Sequence, residues 1–366
     1  MHFCKPSETQ TFKWIIRSIC AEKKAVENLS PSPNIFLNIE KNAMTSRHKR
    51  LKYAVIGLGN MGKNHVRTVR TLPDVDLVAV ADPNANHHHG ESVKWYPDYR
   101  DMIQREAIDA LSICTPTNTH HAIATACIDR GVDILIEKPI APSVEQAESI
   151  IKLAQNSEQI VMIGHIERYN PAVIRLKNII ESGDLGDIVS IVARRVGTFP
   201  PQIRDANIAI DLAIHDIDIV NFLTGGTPEN IKVTKRRNHI ERREDSADFF
   251  LTYKTCCAYI QANWITPVKI RKLHVTGTEG YTELDYISQS LTIYKSNYEK
   301  YRSLEADDMG YSDYILNYLD PDLTEIKIAK QEPLKNELKH FISAVRSRTK
   351  LQLDFALKAL RIALSD

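Results

Sequence analysis

Three features are scarce in this sequence, and each scarcity argues against a class of protein. No stretch reaches the ~18 consecutive apolar residues that a membrane-spanning helix needs. The formal net charge is only +1, so the charge excess typical of nucleic-acid or membrane-surface binders is missing. The six cysteines include no C-x-x-C pair and no regular spacing, which is typical of thiols in a reducing compartment. We therefore expect a cytoplasmic protein with a small-molecule substrate, without nucleic-acid or membrane partners.

The length and composition are those of an ordinary globular protein. The chain has 366 residues, of which 43% are hydrophobic and 25% are charged. This length is enough for two domains, each with its own core.

The first 50 residues stand outside the predicted fold. The apolar run Phe12–Cys20 is too short and too interrupted for a membrane anchor, and it lacks the pattern of a signal peptide. Ser30–Asn34 has the composition of a linker. Two interpretations stay open: a flexible extension, or a translation start at Met44.

The chain is organised around Gly57–Gly62, which reads G-x-G-x-x-G between a β-branched apolar run and a predicted helix. In such a turn Gly57 permits the tight bend, Gly59 lets the backbone approach a pyrophosphate, and Gly62 lets helix and strand pack closely. The start of the helix presents free N–H groups and a positive dipole end to the phosphates. The sequence therefore predicts a dinucleotide site here.

A second predicted strand, Val75–Ala81, ends on Asp82. Its distance from Gly57 is near the ~20 residues expected for an acid that binds the adenosine ribose. Asp82 would accept a hydrogen bond from a 2′-hydroxyl and repel a 2′-phosphate, which favours NAD over its phosphorylated form. The alternative is a βαβ unit with a glycine turn and no dinucleotide.

Strands and helices alternate at short spacing up to about residue 170, which predicts a doubly wound parallel sheet, a Rossmann domain, over residues 51–170. From residue 171 to 366 the pattern changes to successive strands with few helices, which predicts an α+β domain with a large, mostly antiparallel open sheet. The last helices could pack back on the first domain. The open face of that sheet would need a cover, so we expect a homodimer or homotetramer.

Two groups of residues could carry chemistry. Lys138, between Glu137 and Pro139 at a strand end, can stabilise the developing charge on a substrate oxygen. Asp211 and His215 are four residues apart on a predicted helix and share one face, where the histidine can take a hydroxyl proton. The alternatives are a surface lysine and a core histidine. We predict no metal site.

Basic residues gather between these two groups: Arg168 with Tyr169 and Asn170, then Arg194 with Arg195, then Arg204. Arginine clamps suit phosphate or carboxylate groups of a substrate. The alternative is a set of surface ion pairs with the many acids of the chain.

Five motifs carry a family resemblance: Gly57–Gly62, Asp82, T-P-T-N-T-H at Thr115–His120, E-K-P at Glu137–Pro139, and D-x-x-x-H at Asp211 and His215. Together they resemble the glucose–fructose oxidoreductase/inositol dehydrogenase (Gfo/Idh/MocA) family, from Leu51 to the C-terminus. The resemblance implies a Rossmann domain, a second domain with an open mixed sheet, oligomers formed through that sheet, and a reacting hydroxyl surrounded by Lys138, Asp211 and His215.

More narrowly, Gly164–Val173 and Ala193–Asp205 resemble the branch of that family that oxidises UDP-N-acetylglucosamine at C3 with NAD. The resemblance implies an NAD-dependent oxidoreductase of a sugar nucleotide. Three other functions stay open: a dehydrogenase of a free sugar or polyol, a glycosidase that retains NAD, and a non-catalytic sugar sensor.

The predicted cofactor ligands lie at the glycine turn and at the strand ends that face it: Gly57, Gly59, Asn60, Met61, Gly62, Asp82, Thr115, Pro116, Asn118, His120, Glu137 and Lys138. The predicted substrate ligands follow the second half of the resemblance: Arg168, Tyr169, Asn170, Arg194, Arg204, Asp211 and His215.

Overall fold

A computed structural model describes residues 50–84, 93–199, 206–295 and 323–366. The predicted extension, except Arg50, lies outside these ranges, and so does Arg204. Among the described residues, none of the helices is both long enough and apolar enough to span a membrane.

The first sheet has six parallel strands in the order β3-β2-β1-β4-β5-β6. The strands are β1 (Leu51–Ile56), β2 (Val75–Ala81), β3 (Lys94–Tyr96), β4 (Ala110–Ile113), β5 (Asp133–Glu137) and β6 (Val161–Gly164). Four helices connect them: α1 (Asn60–Val69), α2 (Tyr99–Arg105), α3 (His120–Asp129) and α4 (Val144–Asn156). Every residue of β4, β5 and β6 is buried, because helices cover both faces of such a sheet. The predicted doubly wound fold is confirmed.

The second sheet has eight strands in the order β14-β13-β12-β11-β7-β10-β9-β8. The strands are β7 (Ile188–Thr198), β8 (Asn230–Arg236), β9 (Ser246–Thr252), β10 (Cys257–Asn263), β11 (Ile265–Gly277), β12 (Gly280–Asp285), β13 (Ser290–Lys295) and β14 (Leu323–Glu325). Only β7 and β10 pair in parallel, so the sheet is mixed and mostly antiparallel, in agreement with the sequence.

One face of this sheet packs against the helices α5 (Pro171–Glu181) and α6 (Ile214–Thr224). Their apolar side chains share a single buried core with alternate residues of the strands, such as Ile191 and Leu273. The other face stays open: Val192 and Phe250 are 42% and 53% exposed.

The two C-terminal helices, α7 (Pro333–Ser347) and α8 (Asp354–Leu364), connect the two sheets. Phe341 of α7 packs edge-on against Tyr53 of β1, with ring centroids 6.3 Å apart. Residues of α8 lie against α6 and α4. This arrangement brings the carboxyl ends of the parallel strands next to the start of α6, where the predicted site residues lie.

Candidate active site

The three glycines of the turn after β1 have different surroundings. Gly57 has φ +86°, and a Cβ atom there would lie 2.7 Å from the carbonyl oxygen of Cys114. A Cβ atom on Gly62 would lie 1.8 Å from the carbonyl oxygen of Gly57. A Cβ atom on Gly59 would meet no atom within 4 Å. Gly57 and Gly62 therefore serve the packing of strand on helix, and Gly59 borders open space at the N-terminus of α1. This cradle fits the diphosphate of a dinucleotide.

Asp82 fastens this turn to the end of β2. One carboxylate oxygen accepts a hydrogen bond from the Leu58 backbone N–H at 2.7 Å, and the other accepts one from the Asn84 N–H at 2.8 Å. The carboxylate lies beside the glycine turn, at the strand end where a dinucleotide fold binds the ribose. The role of Asp82 as the ribose ligand stays a prediction.

The loop after β4 closes over Gly57. Thr115 accepts a hydrogen bond from the hydroxyl of Thr119 at 2.7 Å, across a short 3₁₀ turn. Pro116 and Asn118 of this loop are exposed at the same edge of the sheet. Their predicted contact with the cofactor stays open.

The predicted cofactor ligand His120 is buried between two loops, and its contact with the cofactor stays a prediction. His120 is 1% exposed, and its two ring nitrogens lie 3.0 Å from the carbonyl oxygen of Pro139 and 2.9 Å from that of Thr115. Its side chain therefore ties the loop after β4 to the loop after β5 and has no polar atom left for a ligand. Burial lowers the pKa of His120.

Glu137 is also a predicted cofactor ligand, and that role stays a prediction. Glu137 is 6% exposed, and its carboxylate lies 2.8 Å from Nε2 of His65 in α1. Nδ1 of His65 is 2.8 Å from the Ser112 hydroxyl, which is 2.6 Å from that of Tyr53. Successive residues of a strand point to opposite faces, so Glu137 turns into the core. The signal that sequence reasoning missed was His65, three residues after the last glycine.

Lys138 and Asp211 are brought together from positions 73 residues apart. Nζ of Lys138 donates a hydrogen bond to the Asp211 carbonyl oxygen at 2.7 Å and lies 3.6 Å from its Oδ1. Asp211 sits in a π-helical turn, Ala209–Ala213, instead of the regular helix that the sequence predicts. Such turns are frequent at functional sites because they re-aim side chains and carbonyl groups.

His215 follows at the start of α6 and is half-buried. Its Nδ1 is buried and has no hydrogen-bond partner within the described ranges. Burial lowers its pKa well below 6.5, and the positive charges of Lys138 and Arg195 lower it further. The ring is therefore neutral near pH 7, which is the form that accepts a proton.

Arg195, and not the predicted Arg194, faces this site. Arg195 is 4% exposed and binds Asp216 through two hydrogen bonds, of 2.6 and 3.1 Å, and Glu167 through one of 2.8 Å. Arg194 is exposed on the open face of the sheet. Neighbouring residues of a strand point to opposite faces, so only one of the two can reach the helix-covered side. Arg194 therefore lies on the opposite face of the sheet from Arg195, and its role as a substrate ligand stays a prediction.

Arg168 is committed to a structural ion pair. Its Nε and Nη2 each lie 2.7 Å from an oxygen of Asp218, and its guanidinium stacks on Phe355 at 3.8 Å. Burial raises the pKa of Asp218, but Arg168 and His165 outweigh burial and lower it to about 2. This pair joins the segment after β6 to α6 and α8. The role of Arg168 as a substrate clamp stays a prediction.

Tyr169 and Asn170 are likewise structural. The Tyr169 hydroxyl lies 2.8 Å from Nδ1 of His340, and its side chain is 9% exposed. Asn170 is 1% exposed; its oxygen caps α5 by accepting from the Ala172 N–H, and its nitrogen donates to the Tyr286 carbonyl. Their polar groups are used within the fold, and their role as substrate ligands stays a prediction.

Comparison with known proteins agrees with this architecture. The model of the Gfo/Idh/MocA oxidoreductase family, with an NAD-binding Rossmann fold, matches residues 51–165. The model of the Gfo/Idh/MocA C-terminal domain matches residues 173–283.

The similar proteins within the family include dehydrogenases named for different substrates and a catabolism protein. UDP-N-acetylglucosamine 3-dehydrogenase of Acidithiobacillus ferrooxidans is 28% identical over 252 residues, 67% of this chain and 77% of the relative. The rhizopine catabolism protein MocA of Rhizobium meliloti is 31% identical over 191 residues, 50% of this chain and 60% of the relative. Inositol 2-dehydrogenase of Salmonella typhimurium is 28% identical over 192 residues, 50% of this chain and 57% of the relative.

Solved structures show the same fold. That of the Acidithiobacillus enzyme superposes with a TM-score of 0.72 at 24% identity, over 86% of this chain and 96% of the other. That of myo-inositol 2-dehydrogenase from Lactobacillus plantarum gives a TM-score of 0.69 at 22% identity, over 86% and 95%. The glycine cradle, the strand-end loops and the two family matches together show that this chain belongs to the Gfo/Idh/MocA family of NAD-dependent oxidoreductases.

Proposed function

We propose that the protein oxidises a hydroxyl of a sugar nucleotide, at C3 of UDP-N-acetylglucosamine or a related UDP-sugar, to the 3-keto sugar. The observation that carries this proposal is the contact of Lys138 with Asp211, together with His215 four residues further along the chain and within electrostatic reach of Lys138. The specific sugar is supported by the similarity to the Acidithiobacillus UDP-N-acetylglucosamine 3-dehydrogenase. Inositol dehydrogenases match at the same identity, so a free polyol is the rival substrate.

The residues of the site divide the work of removing two hydrogens from a secondary alcohol. Bound NAD supplies the acceptor for the hydride that leaves the carbon. Neutral His215 takes the hydroxyl proton. The Lys138 ammonium stabilises the alkoxide as it forms, and the Asp211 carbonyl and carboxylate hold that ammonium in place. The alcohol thereby loses one proton and one hydride and becomes a ketone.

The buried pairs next to the site keep this geometry rigid. Arg195 with Asp216, and Arg168 with Asp218, both connect neighbouring elements to α6, which carries His215. Because both acids lie in the first two turns of α6, the pairs fix the position of that helix end. The imidazole can then meet the substrate without a rearrangement of the backbone.

A substrate panel tests the proposal. NADH formation is measured with UDP-N-acetylglucosamine, UDP-N-acetylgalactosamine, UDP-glucose, myo-inositol and glucose, at saturating NAD. We expect turnover with an N-acetylated UDP-sugar and recovery of deuterium at C3 after reduction of the product with borodeuteride. His215→Asn and Lys138→Met are the matched inactive variants, and His215→Asn should retain NAD binding.

Three outcomes would contradict the proposal. Turnover confined to myo-inositol or glucose would identify a polyol or sugar dehydrogenase. Release of a free sugar without net NADH would identify a glycosidase that retains NAD. Binding of a sugar without any turnover would identify a sensor.

We also propose a cytoplasmic homo-oligomer, formed by a second copy of the chain on the open face of the eight-stranded sheet. That face exposes Val192 of β7 and Phe250 of β9, with β10 between the two strands. An uncovered apolar sheet face is unfavourable in water. The four described cysteines are free thiols, which fits the reducing cytoplasm.

A further inference from the structure

The guanidinium of Arg271 lies on the same face of the sheet as the proposed active site. Arg271 in β11 pairs directly with Arg195 in β7. Side chains of paired residues in antiparallel strands lie on the same face, so Arg271 points to the helix-covered side with Arg195. Further along β11 on that face, Leu273 and Val275 are fully buried.

Arg271 differs from the two neighbouring arginines in its partners. Arg195 and Arg168 each bind a carboxylate through two hydrogen bonds. Arg271 uses only Nη1, which donates to the carbonyl oxygens of Val196 at 2.6 Å and Ile270 at 2.9 Å. Across the described ranges it forms no ion pair, and its Nε and Nη2 donate to no protein acceptor.

This charge is held in place but not neutralised. The side chain is half-buried, and burial together with the Arg195 charge lowers the pKa of Arg271 to about 10. Asp216, Glu167 and Asp211 act on this cation from a distance, but none of them forms an ion pair with it among the described residues, so a ligand of opposite charge can pair with it directly. The two carbonyl contacts orient the planar group and leave two N–H groups for an oxyanion.

The position relative to the reacting centre is suitable for a substrate group. Arg271 is among the charges that lower the pKa of His215, and Asp211 is among the acids that act on Arg271. The guanidinium is therefore within electrostatic reach of both residues without a hydrogen bond to either. The reacting carbon would lie at His215, and a group attached to the sugar would lie at the Arg271 guanidinium.

We propose that Arg271 binds the diphosphate of the sugar-nucleotide substrate and so selects a nucleotide-linked sugar over a free one. The inference rests on the proposed function and adds to it the residue that recognises the anionic part of the substrate. Arginine presents two N–H groups in one plane, which matches the oxygens of a phosphate better than lysine does.

The test is the variant Arg271→Gln in the NAD-loaded protein. We expect the affinities for UDP and for UDP-N-acetylglucosamine to fall by roughly 10- to 100-fold, because a charge-assisted, bidentate contact is lost. The affinity for NAD and the thermal midpoint should stay at the wild-type values. Arg271→Lys should recover only part of the affinity for UDP.

The matched control is Lys272→Gln, which removes a positive charge from the next residue of β11, on the open face of the sheet. It should leave the affinity for UDP unchanged. A pH profile gives a second readout: loss of the Arg271 charge should raise the pKa of His215 and move the acid limb of kcat/KM to higher pH.

Wild-type affinity of Arg271→Gln for UDP would overturn the inference, and so would an equal loss of affinity for NAD or a lowered thermal midpoint. Each of these results leaves the proposed function standing if the wild type still oxidises UDP-N-acetylglucosamine. If instead the wild type binds no UDP compound and oxidises myo-inositol, the proposed function fails first.

Discussion

The glycine turn allows a prediction that separates stability from cofactor binding. In Gly59→Ala the new Cβ atom meets no protein atom within 4 Å, and the backbone, at φ −66° and ψ −164°, accepts any L residue. In Gly62→Ala the Cβ atom would lie 1.8 Å from a backbone oxygen, so the turn must move. The two substitutions add the same methyl group three residues apart.

Gly59→Ala should mainly weaken NAD binding, and Gly62→Ala should mainly lower the free energy of unfolding. Gly59 caps α1, and exchange of glycine for alanine at such a position costs about 1 kcal/mol of unfolding free energy at most. The methyl group of Gly59→Ala would occupy the space of the diphosphate, so the affinity for NAD should fall by roughly 10- to 100-fold, or about 1.4–2.7 kcal/mol. Gly62→Ala should lose about 1–3 kcal/mol of stability through overpacking against the backbone.

Thermal unfolding with and without NAD, together with calorimetric titration of NAD, measures both effects. The wild type should gain thermal stability with excess NAD by mass action, and Gly59→Ala should gain less. If Gly59→Ala binds NAD like the wild type, the diphosphate does not lie at Gly59 and the cradle is misassigned. If Gly62→Ala unfolds at the wild-type midpoint, the close packing of helix on strand is not what requires that glycine.

Further predictions concern the charges and the open sheet face. Burial and Lys138 lower the pKa of His215, so the acid limb of kcat/KM should lie well below pH 6.5; a limb at or above 6.5 would contradict a buried base. Asp216→Asn leaves Arg195 without its main counter-charge and should cost about 3–5 kcal/mol in denaturant unfolding. Glu337 is a fully buried residue of α7. Burial and Glu137 raise the pKa of Glu337 well above 4.5, so its folded form holds a proton that the unfolded form releases. Wild-type stability should therefore fall as pH rises above 4.5, and Glu337→Gln should flatten that slope. Phe250→Asp should reduce the oligomer mass in light scattering, and an unchanged mass would place the interface elsewhere.

Much of the fold was determined by local patterns in the sequence. The β-branched runs, the alternation of strands with helices and the G-x-G-x-x-G turn predict the parallel sheet, because each pattern reflects the burial and geometry of neighbouring residues. The strands of the second sheet were also predictable from their alternation. The parallel pairing of β7 with β10 was not, because two distant strands choose each other through packing of the whole sheet.

The candidate site depended more on tertiary structure. Motifs at strand ends predicted that Lys138 and Asp211 meet, and the structure brings them together. The sequence could not decide between Arg194 and Arg195, since the choice depends on which face of β7 the helices cover.

The remaining differences have the same origin. Glu137 turns into the core toward His65, and Asn170 caps a helix, because buried polar groups must find partners that lie far away in the chain. The sequence did not predict a role for Arg271, because its position beside Arg195 arises only from the register of β11 on β7. The sequence by itself determined which chemical groups are available, and the tertiary structure decided which of them remain free to meet a ligand.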